Sequence, residues 1–213
     1  MSDIQFKIRE EEVDGLTNWL WIEKDKGGWD GPKKDWQGSH KAAIEEFVKH
    51  RGIVVQAGGN QGLYPALLNQ MFSTVYTFEP DWMNFHCLSY NCCDEKIVKF
   101  NCGLGSSNRM VSLNRSAHLI NTGTHKTVPD KGDGYVPVIT IDSLPLKGCD
   151  LLWLDVEGNE KDILEGAGET IRKFKPIIMA ENSKKHSEWM DKQFRYQYKR
   201  NSVSDGIYVP HTY

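Results

Sequence analysis

Short, mostly apolar runs that end in glycine or in an acidic residue constrain this sequence more than any other feature. Three of them lie at residues 53–55, 75–78 and 151–154. Runs of this length without strict polar alternation are typical of strands buried on both faces of a parallel sheet. Segments with helical spacing, such as 63–71 and 163–171, separate them. Strands that alternate with helices predict an α/β fold built on one doubly wound, mostly parallel sheet.

The composition is that of a folded domain with an additional N-terminal segment. The chain has 213 residues, 39% hydrophobic and 26% charged, which is enough to bury a full core and excludes a disordered or collagen-like chain. Residues 1–38 hold four of the seven tryptophans and a run of turn formers and charges at 24–32. We predict an irregular arm or lid at 1–38 and the regular domain at 39–213.

Charge, hydropathy and cysteine spacing limit the classes of binding partner and the cellular compartment that we expect for this chain. The net charge of −3 argues against a nucleic-acid binder held mainly by global charge. No apolar run approaches the roughly 18 residues that span a bilayer, so we predict no membrane partner. Five cysteines without a Cys-x-x-Cys pair, behind a charged N-terminus, predict reduced thiols in the cytoplasm. A basic cluster leaves nucleic acid as a less favoured partner: Lys184, Lys185, Lys192, Arg195, Lys199 and Arg200.

The ends of the predicted strands indicate a nucleoside-containing ligand, because doubly wound sheets bind ligands at the carboxyl ends of their strands. Residues 56–62 read Gln-Ala-Gly-Gly-Asn-Gln-Gly, and we call residues 58–62 the glycine loop. A glycine-rich turn between a strand and a helix lets a ligand approach backbone amides. Glu79 and Pro80 end the next strand, about 20 residues further on, where a carboxylate can accept hydrogen bonds from ribose hydroxyls.

Two ligand classes fit this pattern, a dinucleotide and S-adenosylmethionine. The dinucleotide pattern is present with Ala57 in the place of its first glycine, followed by Gly59 and Gly62. S-adenosylmethionine carries a ribose but no pyrophosphate, so it needs less of that pattern. Another buried strand leads into residues 155–160, Asp-Val-Glu-Gly-Asn-Glu, which we call the acidic loop. Its three carboxylates repel each other, and they have no part in hydride transfer.

Together these stretches resemble the FkbM family of S-adenosylmethionine-dependent methyltransferases. The matching stretches, in order, are Val55–Tyr64, Tyr76–Pro80, Thr140–Leu144, Leu154–Glu160, Ile163–Ala167 and Lys175–Glu181. The resemblance extends over roughly residues 50–210. It implies a class I methyltransferase fold, in which seven strands form a mostly parallel sheet with an antiparallel last strand. Residues 194–199 and 207–209 would form the closing pair of strands.

The resemblance also implies which residues bind the cofactor. The glycine loop would approach its methionine portion, Glu79 its ribose, and Asp155 its methyl group. The family has an acid at position 56, whereas the glutamine here can accept a hydrogen bond from the ammonium end but adds no charge. The implied cofactor-binding residues are Gln56, Gly58, Gly59, Asn60, Gly62, Glu79, Pro80, Cys102, Gly103 and Asp155.

For the reaction, the resemblance implies methyl transfer, and we expect a small-molecule or glycan hydroxyl as the acceptor. A base must take the hydroxyl proton. Asp155 and Glu157 are the first candidates and Glu181 comes behind them, with His118 and His125 as further possibilities. A magnesium ion held by Asp155 and Glu181 is a less favoured way to lower the hydroxyl pKa. A non-catalytic S-adenosylmethionine-binding module and an NAD-dependent oxidoreductase stay open as alternative functions.

Overall fold

The N-terminal segment, residues 4–38, was predicted to be irregular but contains regular elements. The computed structural model describes residues 4–114, 122, 125–128, 135–181, 183–200 and 205–211. Strands β1 (Phe6–Arg9) and β2 (Trp19–Ile22) pair antiparallel, with Phe6 opposite Ile22. Helix α1 (Gly27–Asp35) follows and continues through a π-helical turn (Trp36–His40) into α2 (Lys41–Phe47). Strands β1 and β2 were not predicted, because the pairing of a hairpin depends on contacts between its two strands more than on the local sequence pattern.

The rest of the chain alternates strands and helices. The strands are β3 (Ile53–Ala57), β4 (Thr74–Phe78), β5 (Ile97–Phe100), β6 (Gly103–Leu104), β7 (Arg109–Asn114), β8 (Lys126–Val128), β9 (Tyr135–Ile139), β10 (Leu151–Leu154), β11 (Ile177–Glu181), β12 (Tyr196–Arg200) and β13 (Asp205–Pro210). The α-helices are α3 (Leu63–Leu68), α4 (Trp82–Asn91), α5 (Glu160–Glu165), α6 (Gly168–Phe174) and α7 (Ser187–Phe194). Short 3₁₀ helices lie at Ile141–Ser143 and Ser183–His186.

Within the described ranges, seven strands form the central sheet in the order β12-β13-β11-β10-β3-β4-β5. Strand β13 runs antiparallel to both of its neighbours, and the other neighbouring pairs are parallel. This confirms the predicted fold. The strand order reverses between β3 and β10, so a crevice opens at their carboxyl ends. A second sheet, in the order β6-β9-β7-β8, was not predicted, because β6 and β8 are too short for a periodic signal.

The two faces of the central sheet carry separate cores, and the N-terminal segment packs on one of them. Trp29 and Trp36 share a core with Val54 and Trp153. The rings of Trp36 and Trp153 stack with centroids 6.4 Å apart. The predicted boundary between residues 38 and 39 therefore falls inside a helical turn that is packed on the sheet. None of the described helices is long and apolar enough to cross a membrane.

Candidate ligand-binding site

A cavity of about 190 Å³ lies at the carboxyl ends of β3, β4 and β10, where the strand order reverses. Parallel strands bring their ends to one edge of the sheet, so residues far apart in sequence meet there. Eight of the predicted site residues line this cavity: Gly58, Gly59, Asn60, Glu79, Pro80, Gly103, Asp155 and Glu157.

The glycine loop bends sharply against the neighbouring strands. The amides of Gly58 and Gly59 both donate to the Phe78 carbonyl, at 3.1 and 2.9 Å. Gly58 has a φ of 84°, and a Cβ placed on it would lie 1.8 Å from the carbonyl oxygen of Asp155. Only glycine satisfies both the left-handed backbone and this close approach. Gly58 therefore allows the backbone after β3 to pack directly against the backbone of Asp155.

The Glu79 carboxylate lies at the end of β4 and is held by backbone amides. It accepts hydrogen bonds from the amide of Asn60 at 2.7 Å and from the amide of Asp81 at 2.8 Å. Only 5% of the residue is exposed, and burial, opposed by these hydrogen bonds, raises the pKa of Glu79 to about 8. A carboxylate offers about four acceptor sites, so it can also accept a hydrogen bond from a ligand hydroxyl.

The raised pKa of Glu79 makes the stability of the protein pH-dependent. Below its ordinary value of 4.5, the group is protonated in the folded and the unfolded chain. As the pH rises towards about 8, the unfolded chain loses this proton first, so the free energy of unfolding falls. Replacing Glu79 with glutamine should remove on the order of 5 kcal/mol of this pH dependence. Urea unfolding of both proteins at several pH values measures it, and parallel curves would contradict the assignment.

Asp155 begins the acidic loop, directly after β10, and faces the cavity. Its amide donates to the Ala57 carbonyl at 3.1 Å, which fixes the loop against the end of β3. Burial, together with the charges of Asp205, Glu181 and Glu157, raises its pKa well above the ordinary value. A carboxylate with a raised pKa takes a proton more readily near neutral pH. Asp155 is therefore suited to act as a base on a ligand in the cavity.

His125 also lines the cavity, and a carboxylate orients its ring. Its Nδ1 lies 2.8 Å from Oδ2 of Asp81, and both side chains are buried. Asp81 is itself fixed, because its Oδ1 accepts a hydrogen bond from the Met83 amide in the first turn of α4. A carboxylate on one ring nitrogen leaves the other able to take a proton. The other histidine candidate, His118, lies outside the described residues.

Gln56 lies beneath the glycine loop instead of in the cavity. Its amide group is fully buried and donates to the carbonyls of Ala57, at 3.1 Å, and Gly58, at 2.9 Å. Its oxygen accepts a hydrogen bond from the Thr77 hydroxyl at 2.7 Å. The predicted contact with a cofactor is therefore corrected to a supporting role: Gln56 ties the loop to β4.

Three other predicted residues do not line the cavity. Gly62 begins α3 with a φ of 98°, and a Cβ there would lie 3.0 Å from Cα of Leu88. Cys102 packs in the core on the opposite face of the sheet from the N-terminal tryptophans. Glu181 ends β11 opposite Asp205 of β13, one strand further from the crevice than Asp155. These positions follow from side-chain direction, which the strand pattern alone does not give.

Several cavity-lining residues from outside the strand ends were not among the predicted site residues. Four belong to the N-terminal segment: Trp21, Gly27, Gly28 and Pro32. Thr122 joins them from the segment that precedes β8. No ligand motif marks any of these positions. The only signal in the sequence was the density of tryptophans before residue 38.

The magnesium alternative requires Asp155, directly after β10, and Glu181, at the end of the neighbouring strand β11. Asp155 lines the cavity, whereas Glu181 does not. Among the described residues, no group of three or more His, Cys, Asp or Glu side chains is arranged to hold a metal ion. All five cysteines are free thiols.

Comparison with known proteins identifies the family. The model of the methyltransferase FkbM domain matches residues 56–200, which is more than half of the chain. The chain belongs to the FkbM methyltransferase family. This match includes the glycine loop, Glu79 and the acidic loop, and it leaves the N-terminal segment outside. The comparison with the curated proteins gives no match.

Two solved structures share the fold of this FkbM-family chain. A methyltransferase FkbM from Methylobacillus flagellatus KT is 18% identical, with a TM-score of 0.58 over 80% of this chain and 46% of that one. This chain thus spans about half the length of that relative. The tRNA (uracil-54, C5)-methyltransferase of Pyrococcus abyssi, solved with S-adenosyl-L-homocysteine, is 11% identical, with a TM-score of 0.52 over 96% of this chain and 43% of that one. At these identities, the likeness shows the fold alone.

Proposed function

We propose that this FkbM-family protein is an S-adenosylmethionine-dependent methyltransferase that acts on a hydroxyl group of a small molecule or a glycan. The observation that supports the proposal most directly is that the glycine loop and the Glu79 carboxylate line one cavity at the point where the strand order reverses. A ribose at this place can donate its hydroxyls to Glu79 while the rest of the ligand crosses the loop.

The charge of the cavity favours S-adenosylmethionine over a dinucleotide. Its described lining includes the acids Glu79, Asp155 and Glu157 and contains no lysine or arginine. A lining without a described cation has nothing to neutralise a pyrophosphate, whereas a carboxyl group here can give up its proton when a positive sulfonium or ammonium group binds beside it. When bound, S-adenosylmethionine supplies a methyl group activated by its sulfonium. Glu79 would hold the ribose, and the glycine loop would lie against the methionine portion.

Calorimetric titration with S-adenosylmethionine, S-adenosylhomocysteine and NAD tests this proposal. We expect the first two to bind and NAD not to bind. Binding of NAD alone would favour the oxidoreductase instead. Failure of all three ligands to bind would contradict any role for the cavity in holding an adenosyl group.

Asp155 is our candidate for the base that takes the acceptor proton. It faces the cavity from the end of β10, and burial, together with the charges of Asp205, Glu181 and Glu157, raises its pKa. A base in the cavity wall can act on an acceptor hydroxyl that is held in contact with a methyl donor. His125, held by Asp81, is the second candidate because it lines the same cavity.

Replacing Asp155 with asparagine should abolish methyl transfer and leave a folded protein that binds S-adenosylhomocysteine. The asparagine keeps the backbone bond to Ala57 and removes one of several mutually repelling carboxylates. Loss of a general base lowers turnover by about 10²–10⁴-fold. Radiolabelled methyl transfer to a panel of hydroxylated compounds and glycans measures turnover, with Asp142→Asn as a variant away from the cavity. Normal turnover by the Asp155 variant would shift the base to His125.

A further inference from the structure

We propose that the N-terminal segment forms the cover of the ligand cavity and that Asp25 is the positioning residue that fixes this cover to the glycine loop. The identity of the ligand in this inference rests on the proposed function. The segment lies outside the part of the chain that matches the family model, so the cover is a feature of this chain's own residues.

The segment contributes a wall of the cavity. Trp21, Gly27, Gly28 and Pro32 line it together with the glycine loop and Glu79. Trp21 is fully buried, and its indole nitrogen donates to the carbonyl of Asp25 at 3.1 Å. A ligand that fills the cavity would therefore contact both the sheet edge and the N-terminal segment.

Asp25 is the residue on which three parts of the chain converge. It is completely buried. Its Oδ1 accepts a hydrogen bond from the Gly28 amide at 2.9 Å. Its Oδ2 accepts from Nε2 of Gln61 and from the hydroxyl of Thr122, both at 2.5 Å. The carboxylate thus links the start of α1, the glycine loop and the segment before β8.

Two side-chain amides extend this link along β2. Oε1 of Gln61 accepts a hydrogen bond from the Ile22 amide at 2.7 Å. The side chain of Asn91 accepts from the Leu20 amide at 2.7 Å and donates to the Leu20 carbonyl at 2.9 Å. Asn91 also donates to the Gln61 carbonyl at 2.6 Å. Backbone groups of β2 are therefore hydrogen-bonded to the side chains of Gln61, in the glycine loop, and Asn91, in α4.

This arrangement couples ligand binding to the position of the segment. Removing the Asp25 carboxylate takes away the acceptor of the Gly28 amide and leaves Gln61 and Thr122 only their longer contacts, 3.1 Å from Gln61 to the Thr122 hydroxyl and 3.4 Å from that hydroxyl to Asn60, which favours states in which the segment has moved away. If only the covered state binds ligand tightly, the apparent association constant is proportional to the fraction of protein in that state. A smaller covered fraction therefore gives weaker apparent binding. A residue that merely stabilised the fold would lower stability without this effect on affinity.

The test combines S-adenosylhomocysteine titration with hydrogen exchange on the full chain. Asp25→Ala should weaken binding by about tenfold or more, and Asp25→Asn, which keeps one acceptor oxygen, by less. Asp150→Ala is the matched control, because Asp150 also accepts from two amides, those of Gly52 and Ile53, and does not line the cavity. We expect its affinity to stay within about twofold of the wild type.

Hydrogen exchange tests the role of Asp25 in the cover independently of the proposed function. In wild-type protein, saturating S-adenosylhomocysteine should slow amide exchange in residues 19–28 as well as in the glycine loop. Without ligand, Asp25→Ala should speed exchange in residues 19–28 by about tenfold, and Asp150→Ala should not. Unchanged exchange in the ligand-free Asp25 variant would overturn the positioning role, whether or not the ligand binds. Loss of wild-type binding alone would instead overturn the proposed function.

Discussion

Alanine at position 58 is expected to prevent the glycine loop from closing against β10, with loss of both the cavity and much of the stability. The new Cβ would lie 1.8 Å from the Asp155 carbonyl oxygen, and this atom belongs to the backbone, so no rotamer change can remove the overlap. The φ of 84° adds strain for any residue with a side chain. We expect the free energy of unfolding to fall by about 3–5 kcal/mol. Urea unfolding measures this change, and calorimetry should show no S-adenosylhomocysteine binding.

Gly31 provides the matched control for this substitution. It lies inside α1, is exposed, and has open space around its Cβ position. Alanine there should stabilise the protein by about 0.5–1 kcal/mol, since it reduces the freedom of the unfolded chain and favours the helix. A Gly58 variant that lost less than about 1 kcal/mol would show that the loop can shift away from β10, and would contradict the geometry described above.

The sequence predicted the central sheet and the strand ends because both depend on local pattern. Val54 and Val55 of β3 and residues 151–154 of β10 are buried, as their apolar runs indicated. Parallel strands in one sheet must present their carboxyl ends at one edge, so the glycine loop and Glu79 were expected near each other. The family resemblance then indicated candidate acids at this edge, and the domain match confirmed the family.

Local sequence pattern does not predict the direction of a side chain or the contacts between residues that are distant in the chain. Gln56 stands at the same strand end as the glycine loop, yet its side chain points beneath the loop to Thr77. Asp25 contacts Gln61 and Thr122, which are 36 and 97 residues away in the chain. No periodicity relates such positions. Their partnership is visible only once the hairpin of the N-terminal segment is packed on the sheet.

Removing the Glu79 carboxylate should weaken cofactor binding strongly while the protein stays folded. In Glu79→Ala, a ribose hydroxyl loses its carboxyl acceptor, and the amides of Asn60 and Asp81 lose the group that orients them. Leaving a buried donor without its acceptor costs about 1–3 kcal/mol. With the added disorder of the glycine loop, we expect S-adenosylhomocysteine affinity to fall by about 100-fold. Calorimetric titration measures the loss.

Folding should tolerate this change, because the carboxylate is itself costly to bury. The pKa of Glu79 rises to about 8, which means that the folded protein disfavours the charged form. Glu160→Ala is the control: Glu160 is 1% exposed and accepts a hydrogen bond from the Gly158 amide at 2.9 Å, but does not line the cavity. Its loss should leave the affinity within about threefold of the wild type. If the Glu79 and Glu160 variants bound the cofactor equally well, the Glu79 carboxylate would make no specific contact with the ligand. The ribose would then have to lie elsewhere.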